Sequence, residues 1–383
     1  MKHNRKMIYL AGFLFSMPIA LASYINSSFI SSFIGEKFTS LIYVLGSLGS
    51  ISALLLAPKI FRKIGGYKFL LLVILLDAFS FLILSTTKNA WTAIAMFILG
   101  FSMNTLLIFS LDELLEIFSK NSATGRIRGI YLVICNFAWV FAQLLSGTIL
   151  GGFSYNTIYF ISFSIMTTFL LISFLNLRNI PDPKYDKIKS FKFIKKFFKS
   201  KNLFRAYTLS FLLQFFYSWM VIYTPIYLYT YLGFSWQEIG IIFAIMLLPF
   251  VLIQFPLGKY SDKIGERKML IFGFVVIALA TLSLFFIREH SLWLWAILLF
   301  TTRIGAATIE ISSDAYFFKH IKPENEEFVG VYRSASPVAY IIGPFTAFVV
   351  FLFIPSFNFI YIILGTLMLV GIYVSSTIRK NDV

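Results

Sequence analysis

Twelve apolar runs, each long enough to cross a membrane as a helix, occupy most of this 383-residue chain. They lie at about 8–33, 40–61, 67–86, 90–117, 129–150, 155–177, 205–231, 237–257, 269–287, 291–318, 329–353 and 357–378. A helix rises 1.5 Å per residue, so about 20 residues span a hydrocarbon core about 30 Å thick. Helices are the form these runs must take. An open strand edge in lipid leaves backbone groups unpaired at roughly several kcal/mol each, and the runs are too long and unbroken for barrel strands. Composition agrees: with 58% hydrophobic and 13% charged residues, the chain has too little polar surface to solvate a globule of this size. The expected fold class is all-α, a polytopic membrane protein with 12 transmembrane helices.

The basic residues set the expected orientation. Of 33 lysines and arginines, 28 fall at the two termini and in the even-numbered loops, while the odd-numbered loops hold only Lys37, Lys88 and Arg288. Basic loops stay on the cytoplasmic side, which predicts cytoplasmic termini in a plasma or inner membrane. The net charge of +16 is then mostly topological and does not call for a nucleic-acid partner. Ala20, Leu21 and Ala22 before Ser23 fit a signal-peptide cleavage pattern. Cleavage would leave eleven spans and reverse an otherwise regular charge alternation, so residues 8–33 are read as the first span. The single Cys135 lies inside a span and excludes a disulfide framework.

The longest polar segment, residues 178–205, opens with Pro181 and Pro183 and divides the spans six plus six. The expected organisation is a first bundle at 1–178, a basic linker at 179–204 and a second bundle at 205–383. Within the linker, Ile188, Phe191, Ile194 and Phe198 recur at helical spacing among Lys187, Lys192, Lys195, Lys196 and Lys199. That pattern predicts an interfacial helix on the anionic inner leaflet. The halves also repeat. Ile64 and Gly65 with Lys68 match Ile264 and Gly265 with Lys268, offset by 200. Gly129 and Tyr131 match Gly330 and Tyr332, and Glu113 falls on Asp314, both offset by 201. Internal duplication of this kind is a recurrent feature of transporter folds.

Residues 258–268, GKYSDKIGERK, place Gly258, Asp262, Gly265, Arg267 and Lys268 in a short charged turn between two spans. With the twelve spans, the repeat and the linker, this resembles the loop signature of the major facilitator superfamily, over essentially the whole chain. The resemblance implies two pseudo-symmetric six-helix bundles that rock about a central cavity lined by spans one, four, seven and ten. It also implies that the cytoplasmic loops close an inner gate against the start of the fifth or eleventh span of the opposite half. Asp262 would then meet Arg126 and Arg128, and Arg62 and Lys63 would meet Glu324, Glu326 and Glu327. The first copy of the motif, PKIFRKIGGYK, carries Arg62 where the second has its acid, so the two latches are expected to have opposite polarity. Asp112, clustered with Glu116 at the inner end of span four, belongs to the same gate.

Charges inside the spans carry the remaining chemistry. Arg303, Glu310 and Asp314 stand at i, i+7 and i+11, within about 20° of one line along a helix. A charge at the bilayer midplane costs roughly 2.5–3.5 kcal/mol even on insertion scales, so this face should meet a cavity or a partner rather than lipid. A guanidinium there can hold an acceptor group of a substrate. A carboxylate held away from water can take up and release a proton as the halves rock. Glu310, Asp314 and Glu113 are the expected proton-coupling residues, and Arg303, Gln214, Tyr217, Asn104 and Asn26 the expected cavity contacts. A buried Arg303–Glu310 ion pair with a purely structural role is the alternative. Asp77 in the third span has no assigned role.

The expected activity is secondary active transport of a small solute, coupled to protons, by a monomer with no cofactor, metal or nucleic-acid partner. An efflux antiporter and a non-cycling sensor or scaffold are the alternatives. The region 142–147, AQLLSG, is a poor match to the efflux pattern of the family. An enzyme is not expected, because His3, His290 and His320 lie at span ends or termini and Cys135 has no neighbouring base.

Overall fold

A computed structural model of the chain describes residues 2–119, 124–177, 192–253, 256–257, 264–321 and 327–378; the side chains of residues 2–6, 58, 62, 112–119, 124–129, 192–193 and 327 are outside that description. The described residues hold helices and no strand. In chain order these are α1 (Lys2–Ser23), α2 (Asn26–Ile34), α3 (Glu36–Ile64), α4 (Gly66–Leu84), α5 (Ala90–Ser119), α6 (Thr124–Leu150), α7 (Tyr155–Asn176) and α8 (Lys192–Lys199). They continue as α9 (Lys201–Ile226, extended by a π turn at Tyr227–Tyr231), α10 (Trp236–Leu252), α11 (Glu266–Phe286), α12 (Leu292–His320), α13 (Glu327–Arg333), α14 (Ala335–Phe351) and α15 (Phe359–Ser376). Eleven spans among them are long and apolar enough to cross a membrane, and α10 adds a shorter apolar helix of 17 residues. The all-α reading therefore stands. Of the eighth run, read to residue 257, the described helix reaches Leu252, residues 254–255 lie outside the description, and residues 256–257 are again helical.

Two compact units emerge from the packing. The first comprises Met1–Asp186 with Ser235–Ala244, the second Lys187–Phe234 with Ile245–Val383. In the first, α1 packs on α6 and α7, and α5 lies between α3 and α4. In the second, α11 packs on α12 and α15, while α9 lies against α12, α14 and α15. Small residues set the closest approaches, as expected where lipid supplies no hydrophobic drive between helices. A Cβ on Gly305 of α12 would lie 2.7 Å from the carbonyl oxygen of Gly273 on α11. In the first unit, a Cβ on Gly147 would lie 2.6 Å from the Trp236 carbonyl oxygen.

The repeat found in sequence has a backbone counterpart. Gly65 and Gly265 both precede a helix with φ of 82° and 90° and ψ of 157° and 144°. This region is closed to residues with a Cβ, which explains why both copies keep glycine while the flanking charges diverge. Gly265→Ala is expected to lower stability by about 1–3 kcal/mol, read as a reduced midpoint of thermal unfolding in detergent. An unchanged midpoint would mean that the turn relaxes without strain.

Two spans read as continuous are interrupted. The first breaks at Tyr24 and Ile25, between α1 and α2, and the eleventh breaks at Ser334, between α13 and α14. Pro337 accounts for the second interruption. It has no N–H for the Arg333 carbonyl four residues earlier, so the ladder restarts with Val338 N–H bonding the Ser334 carbonyl. Of the expected linker helix, residues 187–191 lie outside the described residues; the described part is the helix Lys192–Lys199, in which Phe197 is buried and Phe198 is 40% exposed.

Candidate functional site

Arg303, Glu310 and Asp314 lie on one helix, α12, and α9 brings Phe216 and Tyr217 to the same face. The Arg303 guanidinium carbon sits 5.4 Å from the centre of each of these two rings. The Tyr217 hydroxyl donates to Glu310 Oε2 at 3.1 Å. Tyr217 therefore stands between the cation and the acid that the sequence places two turns apart. No ion pair joins Arg303 to Glu310 among the described residues.

Arg303 is 1% exposed, and its Nη1 is buried without a hydrogen-bond partner among the described residues. Two ring contacts contribute roughly 0.5–2 kcal/mol each when desolvated, which offsets part of the cost of this charge but satisfies no N–H direction in the guanidinium plane. An acceptor aimed at Nη1 would complete the arrangement. Ala306 and Ala307, fully buried on the same helix, keep the adjoining turn small.

One turn of helix beyond Glu310 lies a second polar cluster. Asp314 accepts from the Tyr332 hydroxyl at 2.8 Å and from Arg333 Nη2 at 3.1 Å. The interruption of the eleventh span presents both donors. Between the clusters, Ser313 Oγ donates to the Glu310 carbonyl at 3.2 Å. Asp314 is thus held by two partners, while Glu310 has a single phenol as its side-chain donor among the described hydrogen bonds.

The other expected contacts divide between the units. Gln214 is half-buried on α9, in the same unit as Arg303. Asn26 and Asn104 belong to the first unit: the side-chain oxygen Oδ1 of Asn26 accepts from the Tyr159 hydroxyl at 2.8 Å, and the Asn104 side-chain oxygen is buried without a partner among the described residues. Of the expected gate, Gly265, Arg267, Lys268 and Lys63 are described. Gly258, Asp262, Glu324 and Glu326 lie outside the described residues. Arg62, Asp112, Glu113, Arg126, Arg128 and Glu327 fall in helices whose side chains there are outside the description. Near the gate motif, Lys319 at the end of α12 pairs with the fully buried Glu266 at the start of α11, 2.5 Å apart.

Asp77 on α4 is fully buried, and neither carboxylate oxygen has a partner among the described residues. It faces Gly100 of α5, where a Cβ would lie 3.5 Å from Asp77 Oδ1 and 2.7 Å from Ser80 Oγ. The isosteric change Asp77→Asn is expected to raise thermal stability by about 1–3 kcal/mol, because it removes the cost of holding an ionisable carboxyl in a buried site without a cation among the described residues and keeps the volume. A lowered unfolding midpoint would reveal a partner for the carboxylate.

Phe216, Ser313, Tyr332 and Arg333 were not singled out as site residues from sequence. Tyr332 carried a signal as the tyrosine of the repeated Gly-x-Tyr, and Pro337 marked the nearby break. The pairing of Tyr332 and Arg333 with Asp314 needs the tertiary contacts between α12 and α13.

Eleven described helical spans long and apolar enough to cross a membrane define a polytopic membrane protein. The chain belongs to the Major Facilitator Superfamily, whose profile matches residues 7–245 and 224–382. No curated protein matches it in sequence. Among solved structures, it resembles a point variant of the nucleoside transporter NupG with a TM-score of 0.81 at 13% identity, over 97% of this chain and 99% of that one. The human organic anion transporter MFSD10 superposes with a TM-score of 0.67 at 14% identity, over 98% and 99% of the two chains. A bacterial homologue of the human lysosomal transporter Spinster gives 0.66 at 13% identity, over 98% and 94%. At these identities the likeness is one of fold.

Proposed function

We propose that the chain is a proton-coupled secondary active transporter of a small solute, working by alternating access between two six-helix halves with cytoplasmic termini. The observation that carries the reading is the Arg303–Tyr217–Glu310 arrangement: a buried guanidinium with an unmet donor, joined through one aromatic side chain to a carboxylate. Arg303 holds an acceptor group of the solute, and Glu310 carries the proton. Tyr217 couples them, because a solute that moves the ring away from Arg303 also moves the hydroxyl that holds Glu310. Gln214 adds a neutral contact from the same unit, and Asn26 and Asn104 add contacts from the first. Asp314, held by Tyr332 and Arg333, and Glu113 in the first half flank the proton path.

The gate reading also remains a proposal. The motif loop with Asp262 and the basic loop with Arg62 and Lys63 close the cytoplasmic side, and the basic linker lies on the anionic leaflet. Nucleosides and organic anions, the cargoes named for two of the structural neighbours, form the first panel to test. A thermal-shift screen of the purified protein should find a solute class that stabilises it. A panel that shifts the protein and its Arg303→Ala variant equally would remove Arg303 from the binding site.

A further inference from the structure

The short helix α8 does more than lie beside the second unit. Phe197 is fully buried, with its ring centre 5.5 Å from that of Phe328, 6.2 Å from Tyr207 and 6.4 Å from Phe317. Phe317 in turn stacks on Tyr332 at 4.1 Å and 6° between planes, and the Tyr332 hydroxyl bonds Asp314. Lys196 lies over the Phe328 ring at 5.8 Å. Phe328 and Tyr332 are one turn apart on α13, so α8 grips α13 by the face whose other end orients Asp314. One continuous line of packed rings joins a surface helix to the candidate site.

The outer face of α8 has a different character. Residues 187–205 contain eight basic residues and no acidic one. Lys195, Lys199 and Lys201 are exposed and have no ion pair among the described residues. Phe198 and Phe204, 40% and 51% exposed, lie among them. Only Ser200 separates α8 from the apolar span Lys201–Tyr231, so these lysines lie within about two helical turns of the start of that span. Exposed rings between lysines suit a surface that is anionic outside and apolar beneath, as a bilayer of acidic lipids is. A single-stranded nucleic acid can also pair with the lysines and stack on the rings, but the adjoining span Lys201–Tyr231 keeps this segment at the bilayer, which favours lipid headgroups.

We infer that α8 is a strap that binds anionic lipid headgroups through Lys195, Lys199 and Lys201 and, through Phe197, sets the position of Tyr332 against Asp314. Acidic lipid then stabilises the inner end of the site, and its loss loosens α13. The inference rests on the proposed site only for its functional consequence, because its physical test reads amide protection rather than transport.

Hydrogen exchange of the full chain in nanodiscs provides that test, comparing phosphatidylcholine alone with phosphatidylcholine containing 30% phosphatidylglycerol. At least threefold slower exchange is expected in the acidic discs, both in Lys192–Lys199 and in Glu327–Arg333. The triple variant Lys195→Gln, Lys199→Gln, Lys201→Gln should fold and lose the lipid dependence in both segments. Phe197→Ala should keep it in α8 and lose it in α13. Equal exchange in the two lipids, or a triple variant that keeps the dependence, would overturn the inference. Protection produced in neutral discs by inorganic phosphate would assign the site to a free anion, and protection produced there only by poly(U) RNA would assign it to nucleic acid; both would overturn the lipid assignment.

Discussion

Glu310→Gln is expected to abolish accumulation of solute against its gradient while leaving solute exchange across the membrane intact. Glutamine keeps the size of the side chain and an oxygen that accepts the 3.1 Å bond from Tyr217, so the packing of α9 on α12 should survive. What it removes is the group that changes protonation. In a coupled carrier that loss separates two readings of one experiment. Uphill uptake should fall by about 100-fold or more, to the level set by the solute gradient, as for any step that loses its only coupling group. Counterflow of labelled solute in preloaded vesicles should stay within about threefold of the unaltered protein. Tyr217→Phe removes the hydrogen bond and keeps the ring, so it should weaken coupling less than Glu310→Gln.

Arg303→Ala is expected to produce the largest loss of solute affinity of any single change in the second unit. A charged hydrogen bond to a buried guanidinium contributes about 1.5–3 kcal/mol, which corresponds to roughly a 10- to 150-fold weaker Kd. Lysine should not restore binding. Its compact ammonium lacks the planar fork, and it cannot lie flat over Phe216 and Tyr217 while directing a second donor at the solute. Isothermal titration or ligand-dependent thermal shift in detergent reads both variants. If lysine binds the solute as well as arginine does, the site needs only positive charge, and the ring platform has no part in recognition.

Much of the architecture was legible because lipid imposes a simple rule on sequence. A span must be long, helical and nearly free of charge, so its extent can be read from composition alone, and the exceptions, such as Arg303 and Glu310, stand out. Gly65 and Gly265 were legible as a repeat, and their shared positive φ supplies the reason. The register of Arg303, Glu310 and Asp314 along one helix face also followed from spacing. Contacts between helices did not. The insertion of Tyr217 between Arg303 and Glu310 depends on how α9 rotates against α12, and α9 is held by long-range contacts such as the bond from Trp219 Nε1 to the Gly343 carbonyl on α14, 2.8 Å long and 124 residues apart in sequence. Phe197 was not singled out for a related reason: helical spacing in the linker marked Phe198 for the membrane surface, whereas the burial of Phe197 is decided by contacts with Phe317 and Phe328.

The breaks at Tyr24–Ile25 and at Ser334 show the same division between local and tertiary causes. Pro337 made a bend in the eleventh span readable, though not the Tyr332 and Arg333 contacts with Asp314 that the break permits. Near Asn26 no proline lies within the break itself. The interruption there is accompanied by long-range bonds, Gln143 Nε2 to the Ala20 carbonyl at 2.9 Å and Tyr159 to Asn26 at 2.8 Å. Such bonds satisfy polar groups near an interrupted helix, and nothing in the local sequence announces them.

Proton movement driven by solute tests the central claim most directly. The purified protein is reconstituted in vesicles loaded with a pH-sensitive dye, and a solute selected by the thermal-shift panel is added outside. The account predicts a solute-dependent change in internal pH with the unaltered protein and none with Glu310→Gln, although that variant still exchanges the solute. Solute flux without proton movement in the unaltered protein, or full proton movement in Glu310→Gln, would contradict it.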